Sequence, residues 1–285
     1  MRAGFIGLGA MGGPMAGHLH ARGLLAAVGN RNAAKAVAFA AAHEGVLATS
    51  RAFDYAGCDV VVLCVSADAD VMQNVFAHTG VLKPGSVVVD HSTVAANTAR
   101  EAHAELARHG IGFLDAPVSG GVEGARNGKL SIMVGGNAAD LDAARPVLEA
   151  YALRITHMGR PGAGQATKAV NQVLVAGIAQ AVCEGLALGE QLGLAPELLV
   201  PTLSAGAAGN WFLEKRGATM LADNFTPGFK CALLHKDLRI VREMAREAGV
   251  SATVVEQSLQ DYGKLIASGH GDEDTSALIR LKRKK

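Results

Sequence analysis

The sequence carries almost no net charge: 27 Lys and Arg against 26 Asp and Glu leave +1 over 285 residues. So even a balance excludes a general nucleic-acid binder or a protein built to dock on acidic surfaces. Cysteine is sparse too. Cys58, Cys64, Cys183 and Cys231 stand far apart with no CxxC and no Cys/His ligand spacing. That pattern argues against structural zinc and for a reducing compartment. The ten histidines offer no HxxxH pair, so no metal site is expected. There is no internal repeat and no low-complexity linker. Met1 leads into a short strand and then glycines rather than an apolar h-region, so no signal peptide is read and a cytoplasmic location is expected.

A long uninterrupted hydrophobic run is also missing. Ala169–Leu194 comes nearest, but Asn171, Gln172, Gln180, Glu184, Glu190 and Gln191 break it. The segment therefore predicts a buried core helix, not a membrane span.

What is present is apolar material enough for sizeable cores, 49% of the residues, in a chain whose length suggests two domains. Up to about Ile155, short β-rich runs alternate with helix-forming stretches such as Ala33–Ala42 and Ala95–Arg108. The runs are Ala3–Ile6, Leu25–Val28, Asp59–Cys64, Ser86–Val89, Gly112–Leu114 and Leu130–Val134. Alternation of this kind predicts an α/β domain with a mainly parallel, doubly wound sheet. After Gly164 strand signals vanish and helices are expected over Gln165–Leu192, Pro196–Ser204, Leu233–Ala248 and Ala252–Ala267. The reading is an α/β domain over 1–160 and an all-α domain over 161–285. Gly271–Ser276 holds three carboxylates and reads as a turn capped by Thr275 or Asp272. The basic last five residues, Leu281–Lys285, read as a disordered tail.

Gly7, Leu8, Gly9, Ala10, Met11 and Gly12 spell GxGxxG between the first strand and a helix reaching about Ala21. There the glycines serve a tight turn, backbone approach to a pyrophosphate and close helix–strand packing, with the anion on the helix N-terminus. An NAD-specific site places a carboxylate at the end of the second strand. This chain has Asn30, Arg31, Asn32 and then Lys35. An arginine and a lysine one turn apart suit a 2′-phosphate, so NADP(H) is expected over NAD(H).

Three further stretches fall at strand ends, where open α/β sheets bind ligands: Val65-Ser66, Asp90-His91-Ser92-Thr93, and Asp115-Ala-Pro-Val-Ser119-Gly120-Gly121. Ser119 and the two glycines offer a hydroxyl and backbone N–H groups to a small carboxylate. His91 reads as structural. Farther on, Gly159–Gln172 runs G-R-P-G-A-G-Q-A-T-K-A-V-N-Q, with Lys168 in the first turns of the long helix.

Together these stretches resemble the β-hydroxyacid dehydrogenase family. That family includes 3-hydroxyisobutyrate dehydrogenase, tartronate semialdehyde reductase and the glyoxylate/succinic semialdehyde reductases. The resemblance runs from F-I-G-L-G-A-M-G-G-P-M-A through D-A-P-V-S-G-G and G-A-G-Q-A-T-K-A-V-N-Q to H-K-D-L at His235–Leu238. D-A-P-V-S-G-G-V-E-G-A-R-N-G-K-L-S-I-M-V-G-G looks most like the tartronate branch.

The resemblance implies a Rossmann domain, an α-helical C-terminal domain and a cleft between them. It makes Lys168 the catalytic acid/base, has Thr93 and Lys236 contact the cofactor, and gives Ser119, Gly120 and Gly121 the substrate carboxylate. Asp237 would fix that end of the cleft, and Asn210-Trp211 would border the substrate pocket. Many members carry an asparagine four residues after the lysine. Here Gln172 holds that position and Asn171 lies at three. Both share the lysine's helix face, so either amide suits the substrate.

The implied chemistry is hydride transfer to the carbonyl of a small carboxylate-bearing aldehyde or oxo acid, with an ammonium stabilising the oxygen and delivering the proton. A homodimer or homotetramer follows from the same resemblance, with no nucleic-acid or membrane partner. Rival readings are an imine reductase, which typically lacks the lysine, and a non-catalytic cofactor-binding scaffold. A 6-phosphogluconate dehydrogenase needs a larger C-terminal domain than 285 residues allow.

Overall fold

The computed structural model describes residues 1–283, which divide into one compact unit ending at Lys168 and a second beginning at Ala169. The first is a sheet covered by helices on both faces. Its strands β1 (Ala3–Ile6), β2 (Leu25–Gly29), β3 (Leu47–Ala48), β4 (Val60–Leu63), β5 (Val87–Asp90) and β6 (Gly112–Asp115) run parallel in the order β3-β2-β1-β4-β5-β6. Past β6 come β7 (Val118–Ser119), β8 (Leu130–Gly135) and β9 (Ala152–Gly159). Strand β8 is antiparallel to β6 and β7 and parallel to β9.

The continuous apolar runs are what make this a two-faced sheet. Val60 and Val62 of β4, with Val87 and Val89 of β5, pack on one face; Val61, Leu63 and Val88 pack on the other. Helices α1 (Gly12–Ala21) and α6 (Ala138–Leu148) cover the first face through Met15, Leu19, Leu141 and Val147. Helices α3 (Asp68–His78) and α4 (Ala96–Ala107) cover the other through Val71, Val75, Ala99, Ala102 and Leu106. The unit is completed by α2 (Ala33–Ala41) and α5 (Gly121–Arg126). The strand order reverses direction between β1 and β4, the place where such sheets open a crevice at their carboxyl ends.

Three strands have no counterpart among the expected runs. Two are two-residue strands, β3 and β7, and β9 is an edge strand with no fully buried residue. An edge strand that buries little shows no hydrophobic signal.

The second unit is helical: α7 (Ala163–Gln191, whose first six residues belong to the first unit), α8 (Pro196–Ser204), α9 (Trp211–Leu221), α10 (Cys231–Glu247) and α11 (Thr253–Ala267), closed by a 3-10 turn over Thr275–Leu281. Its core gathers Cys183, Leu186, Phe212, Met220, Leu234, Leu238, Tyr262 and Ile279. By length and composition α7 would cross a bilayer, but half of its most apolar window is buried inside the structure. Helix α9 was not among the expected helices. Its Gly217 lies against Val200 of α8, where a Cβ would stand 3.0 Å away, so the helix-weakening glycine serves a close helix crossing.

Two expectations need correction. The cap of the closing turn is Asp274, whose side chain accepts from the Ser276 N–H, while Asp272 pairs with Lys230. The basic end is held in place as far as it is described: Lys282 meets Glu184 and Asp261, and Arg283 meets Glu190 and Asp223. Lys284 and Lys285 lie outside the described residues.

Candidate active site

The glycine loop shows why each glycine is there. Gly7 has φ +105°, and a Cβ on it would strike the carbonyl oxygen of Cys64 at the end of β4; a Cβ on Gly12 would strike the carbonyl oxygen of Gly7. Gly9 differs, because a Cβ there would meet no protein atom within 4 Å. The open space over Gly9 leaves room for a group to approach the backbone there. Met11 stands at the N-cap of α1 with no side-chain cap bond, and the first turn holds no acid, which suits an anion at its N–H groups. These residues fit a dinucleotide.

Not all of the loop is offered outward. The Leu8 N–H donates to Asn30 Oδ1 at 2.9 Å, and the Asn30 amide donates to the Asn32 carbonyl. Asn32 in turn caps α2 by accepting from the Ala34 N–H. Leu8 and Asn30 therefore hold the loop on β2. Arg31 is 85% exposed, 3.8 Å from Asp70, and Lys35 is exposed on the first turn of α2. No carboxylate lies between Gly29 and Lys35.

At the ends of β4 and β5 the main chain is tied by short side chains. Val65 N–H donates to Ser92 Oγ, and Ser92 N–H donates to Asp90 Oδ1, both at 2.9 Å. Ser66 is exposed and Thr93 half-buried beside them. His91 is buried, its Nδ1 donating to the Ala116 carbonyl and its Nε2 accepting from the Tyr151 hydroxyl. Burial lowers this imidazole to about 4, against the raising effect of the Ala116 bond, so it is neutral and structural. Burial raises the Asp90 carboxyl to about 7, opposed by its Ser92 bonds and helped by the charge of Asp115. The single HxH pair, His18 and His20, turns to separate carbonyls, Ala125 and Arg126 for one and Glu44 for the other.

The end of β6 builds the start of α7. Asp115 Oδ1 accepts from Gly162 N–H at 2.8 Å and Oδ2 from Gln165 N–H at 2.9 Å. These caps come from a strand 47 and 50 residues away, so the helix starts at Ala163, ahead of the expected Gln165. Burial raises the Asp115 carboxyl, against the lowering effect of those N–H bonds. Three residues after Asp115, the Val118 carbonyl accepts from Lys168 Nζ at 2.9 Å. Lys168 is 9% exposed, so it is not a solvated surface charge. Ser119 follows Val118, and Gly120 and Gly121 open α5 with φ of +126° and +61°.

In the second unit the next turn of α7 carries a chain of side-chain bonds. Asn171 donates to Gln172 Oε1 at 2.8 Å, Gln172 donates to Asp237 Oδ2 at 2.7 Å, and Lys236 Nζ lies 3.0 Å from Asp237 Oδ1. Gln172 is 1% exposed, while Asn171 is half-buried. Asn210 and Trp211 take no part in this chain. Asn210 caps α9 through Leu213 N–H, and Trp211 is half exposed under the Arg216 guanidinium.

Comparison with known proteins gives the same outline. A model for the NAD-binding domain of 6-phosphogluconate dehydrogenase matches residues 2–159, and one for the NAD-binding region of NADP-dependent 3-hydroxyisobutyrate dehydrogenase matches 162–282. A probable 3-hydroxyisobutyrate dehydrogenase from Mycobacterium bovis is 38% identical, over 98% of this chain and 97% of its own. An NAD-dependent L-serine dehydrogenase from Pseudomonas aeruginosa is 35% identical, over 97% and 96%. The solved structure of 3-hydroxyisobutyrate dehydrogenase from Mycobacterium tuberculosis with L-serine superposes with a TM-score of 0.88 at 33% identity, covering both chains completely. The chain belongs to the β-hydroxyacid dehydrogenase family. As a β-hydroxyacid dehydrogenase it is an NAD(P)-dependent oxidoreductase acting on hydroxyacids. The 6-phosphogluconate dehydrogenase name attaches to the nucleotide-binding domain that this family shares.

Two residues that tie the ends of β5 and β6 to α7 escaped the sequence reading: Gln165 and Asp115. Gln165 stands three residues before Lys168, on the same helix face, and that spacing was the available signal. Asp115 opens the D-A-P-V-S-G-G stretch, but nothing local says that its partners lie near residue 162.

Proposed function

We propose that this chain is an NADP(H)-preferring enzyme that interconverts a small β-hydroxyacid and its semialdehyde or oxo acid, with Lys168 as acid/base. The observation that carries the reading is the nearly buried Lys168, its Nζ held at 2.9 Å on the Val118 carbonyl, one residue before Ser119. When bound, the reduced nicotinamide supplies a hydride. Lys168 gives a proton to the oxygen on which negative charge develops, and in the oxidative direction the neutral amine takes the hydroxyl proton. Ser119, Gly120 and Gly121 hold the carboxylate through a hydroxyl and main-chain N–H groups. Relatives named for 3-hydroxyisobutyrate and for L-serine support the substrate class, since both molecules carry a carboxylate and a hydroxyl on the third carbon.

Gly7, Gly9, Ala10, Met11, Gly12, Val65, Ser66, Thr93 and Lys236 contact the cofactor in this reading, with Leu8, Asn30 and Asn32 shaping its loop. Exposed Arg31 and Lys35, with no carboxylate in the sequence between Gly29 and Lys35 and, among the described residues, only Asp70 at 3.8 Å from the arginine, favour a 2′-phosphate. Asn171 is the amide for the substrate, because Gln172 spends both ends of its own amide on Asn171 and Asp237. Asn210 and Trp211 border the substrate. The dehydrogenase works in the cytoplasm, with 1–160 as cofactor domain and 161–285 as substrate and oligomerisation domain. Exposed Val170, Leu174 and Ile178, spaced by four on α7, support a homodimer or homotetramer through the helical domain.

The test is NADPH consumption with succinic semialdehyde, glyoxylate, tartronate semialdehyde and methylmalonate semialdehyde. Turnover of at least one is expected; tight NADPH binding without turnover of any overturns the reading. Arg31→Ala should weaken NADPH more than tenfold and NADH less than threefold, and an equal loss for both contradicts the 2′-phosphate assignment.

A further inference from the structure

Gln165 is 2% exposed, and both ends of its amide are held inside the protein. Its Nε2 donates to the Ser92 carbonyl at 2.7 Å and its Oε1 accepts from the Val94 N–H at 3.2 Å. Those two groups flank Thr93. The side chain thus treats residues 92–94 as a neighbouring strand would, taking one carbonyl and one N–H on either side of the residue between. Its own N–H is held by Asp115, and its helix face carries Lys168 three residues on. The loop after β5, the end of β6 and the first turns of α7 are therefore fastened to one another by hydrogen bonds to main-chain groups. A side chain pinned to main chain at both ends cannot change rotamer without breaking both bonds.

We infer that Gln165 is a positioning residue that sets Thr93 in register with Lys168, so that cofactor contact and proton donor stay in one geometry. The inference rests on the proposed roles of Thr93 and Lys168. Gln165 touches neither substrate nor cofactor; it acts through the two residues that do. Misplacement of such groups by about 1 Å costs on the order of 10²-fold in rate.

Gln165→Glu is the decisive variant, because it keeps shape and length but, when ionised, replaces the donor to Ser92 with an acceptor. At pH 8 its kcat should fall at least tenfold, with the NADPH Kd within about threefold of the parent and the melting temperature within a few degrees. As pH falls the carboxyl takes a proton, can donate to Ser92 again, and the variant-to-parent ratio of kcat should recover. Asp90 and His91 from the β5 end, Asp115 from the β6 end and Lys168 on its own helix also titrate nearby. They are common to variant and parent, so the ratio isolates residue 165. A ratio that stays flat with pH, or a fall in kcat no larger than the loss of folded protein, overturns the inference. If the Glu variant does not fold, Gln165→Asn, too short to reach both groups, should show the same split between kcat and Kd; an unchanged kcat in it also overturns the inference.

Lys168→Ala, measured alongside, separates the two levels. A loss below tenfold in that variant removes the lysine assignment itself. A loss of 10²-fold or more there, with Gln165→Glu silent, removes only the positioning role. Combining both substitutions should cost less than the product of the two separate losses, since Gln165 acts in part through the lysine; fully additive losses overturn the inference.

Discussion

Two successive turns of α7 are held in contrasting ways. Around Gln165 and Lys168 side chains are tied to main-chain groups: Ser92, Val94 and Val118 on one side, Gly162 and Gln165 caught by Asp115 on the other. Around Asn171 and Gln172 the bonds run from side chain to side chain, through Asp237 to Lys236. Main-chain anchors inherit their positions from the sheet and survive most substitutions in it. A relay of side chains exists only while every member keeps its type. The first arrangement is fixed by backbone geometry; the second is fixed by side-chain identity.

The sharpest way to break the comparison is Lys168→Ala. Loss of a general acid should lower kcat by about 10²–10⁴-fold with the NADPH Kd nearly unchanged, read by steady-state kinetics and fluorescence titration. A drop under tenfold would place the proton donor elsewhere.

The anchored strand ends also make a prediction about pH. Asp90, raised from 3.8 to about 7, keeps its proton in the folded chain where the unfolded chain has lost it, so it weakens the fold as pH rises from 4 to 7. His91, lowered from 6.5 to about 4, stays neutral where the unfolded chain takes up a proton, so it weakens the fold as pH falls through the same interval. The effects are about 4 kcal/mol for Asp90 and about 3 kcal/mol for His91, and they largely offset. Asp90→Asn leaves the histidine unopposed. Denaturant titrations should then show the variant gaining on the parent by about 4 kcal/mol between pH 4 and pH 7; parallel curves would refute the offset.

Gln172→Ala tests the relay. It leaves buried Asp237 without its amide donor, at a cost of about 1–3 kcal/mol, and should raise KM severalfold through a loosened Asn171 while kcat changes less. A kcat loss comparable to that of Lys168→Ala would mean that Gln172 itself meets the substrate. The smallest effect on stability belongs to Gly9→Ala, where a Cβ meets no protein atom. Unfolding free energy should move by less than about 0.5 kcal/mol while NADPH affinity falls tenfold or more. An unchanged Kd would remove the pyrophosphate from that loop.

Much of this was legible in the residues themselves. The apolar runs at β4 and β5 and the glycine spacing are local signals, and the structure follows them. Lys168 could be singled out because its neighbours in sequence carry the family pattern. Tertiary facts were not legible. The cap on α7 comes from Asp115, the amide of Gln165 finds its partners more than seventy residues away, and β9 pairs at an edge without an apolar signature. Asp274 rather than Thr275 caps the last turn because its second oxygen is wanted by Gly228 and Phe229 N–H groups, which no local rule reveals.

The bond from Leu8 N–H to Asn30 Oδ1 bears on how such a protein could change its coenzyme. The residue at the end of β2 is the usual target for exchanging one dinucleotide for the other, yet here it also latches the glycine loop. A substitution that alters charge at Asn30 without an acceptor for Leu8 would trade selectivity against the cradle itself. Drift and design are thereby steered toward Arg31, whose exposed guanidinium can be exchanged while the latch stays shut.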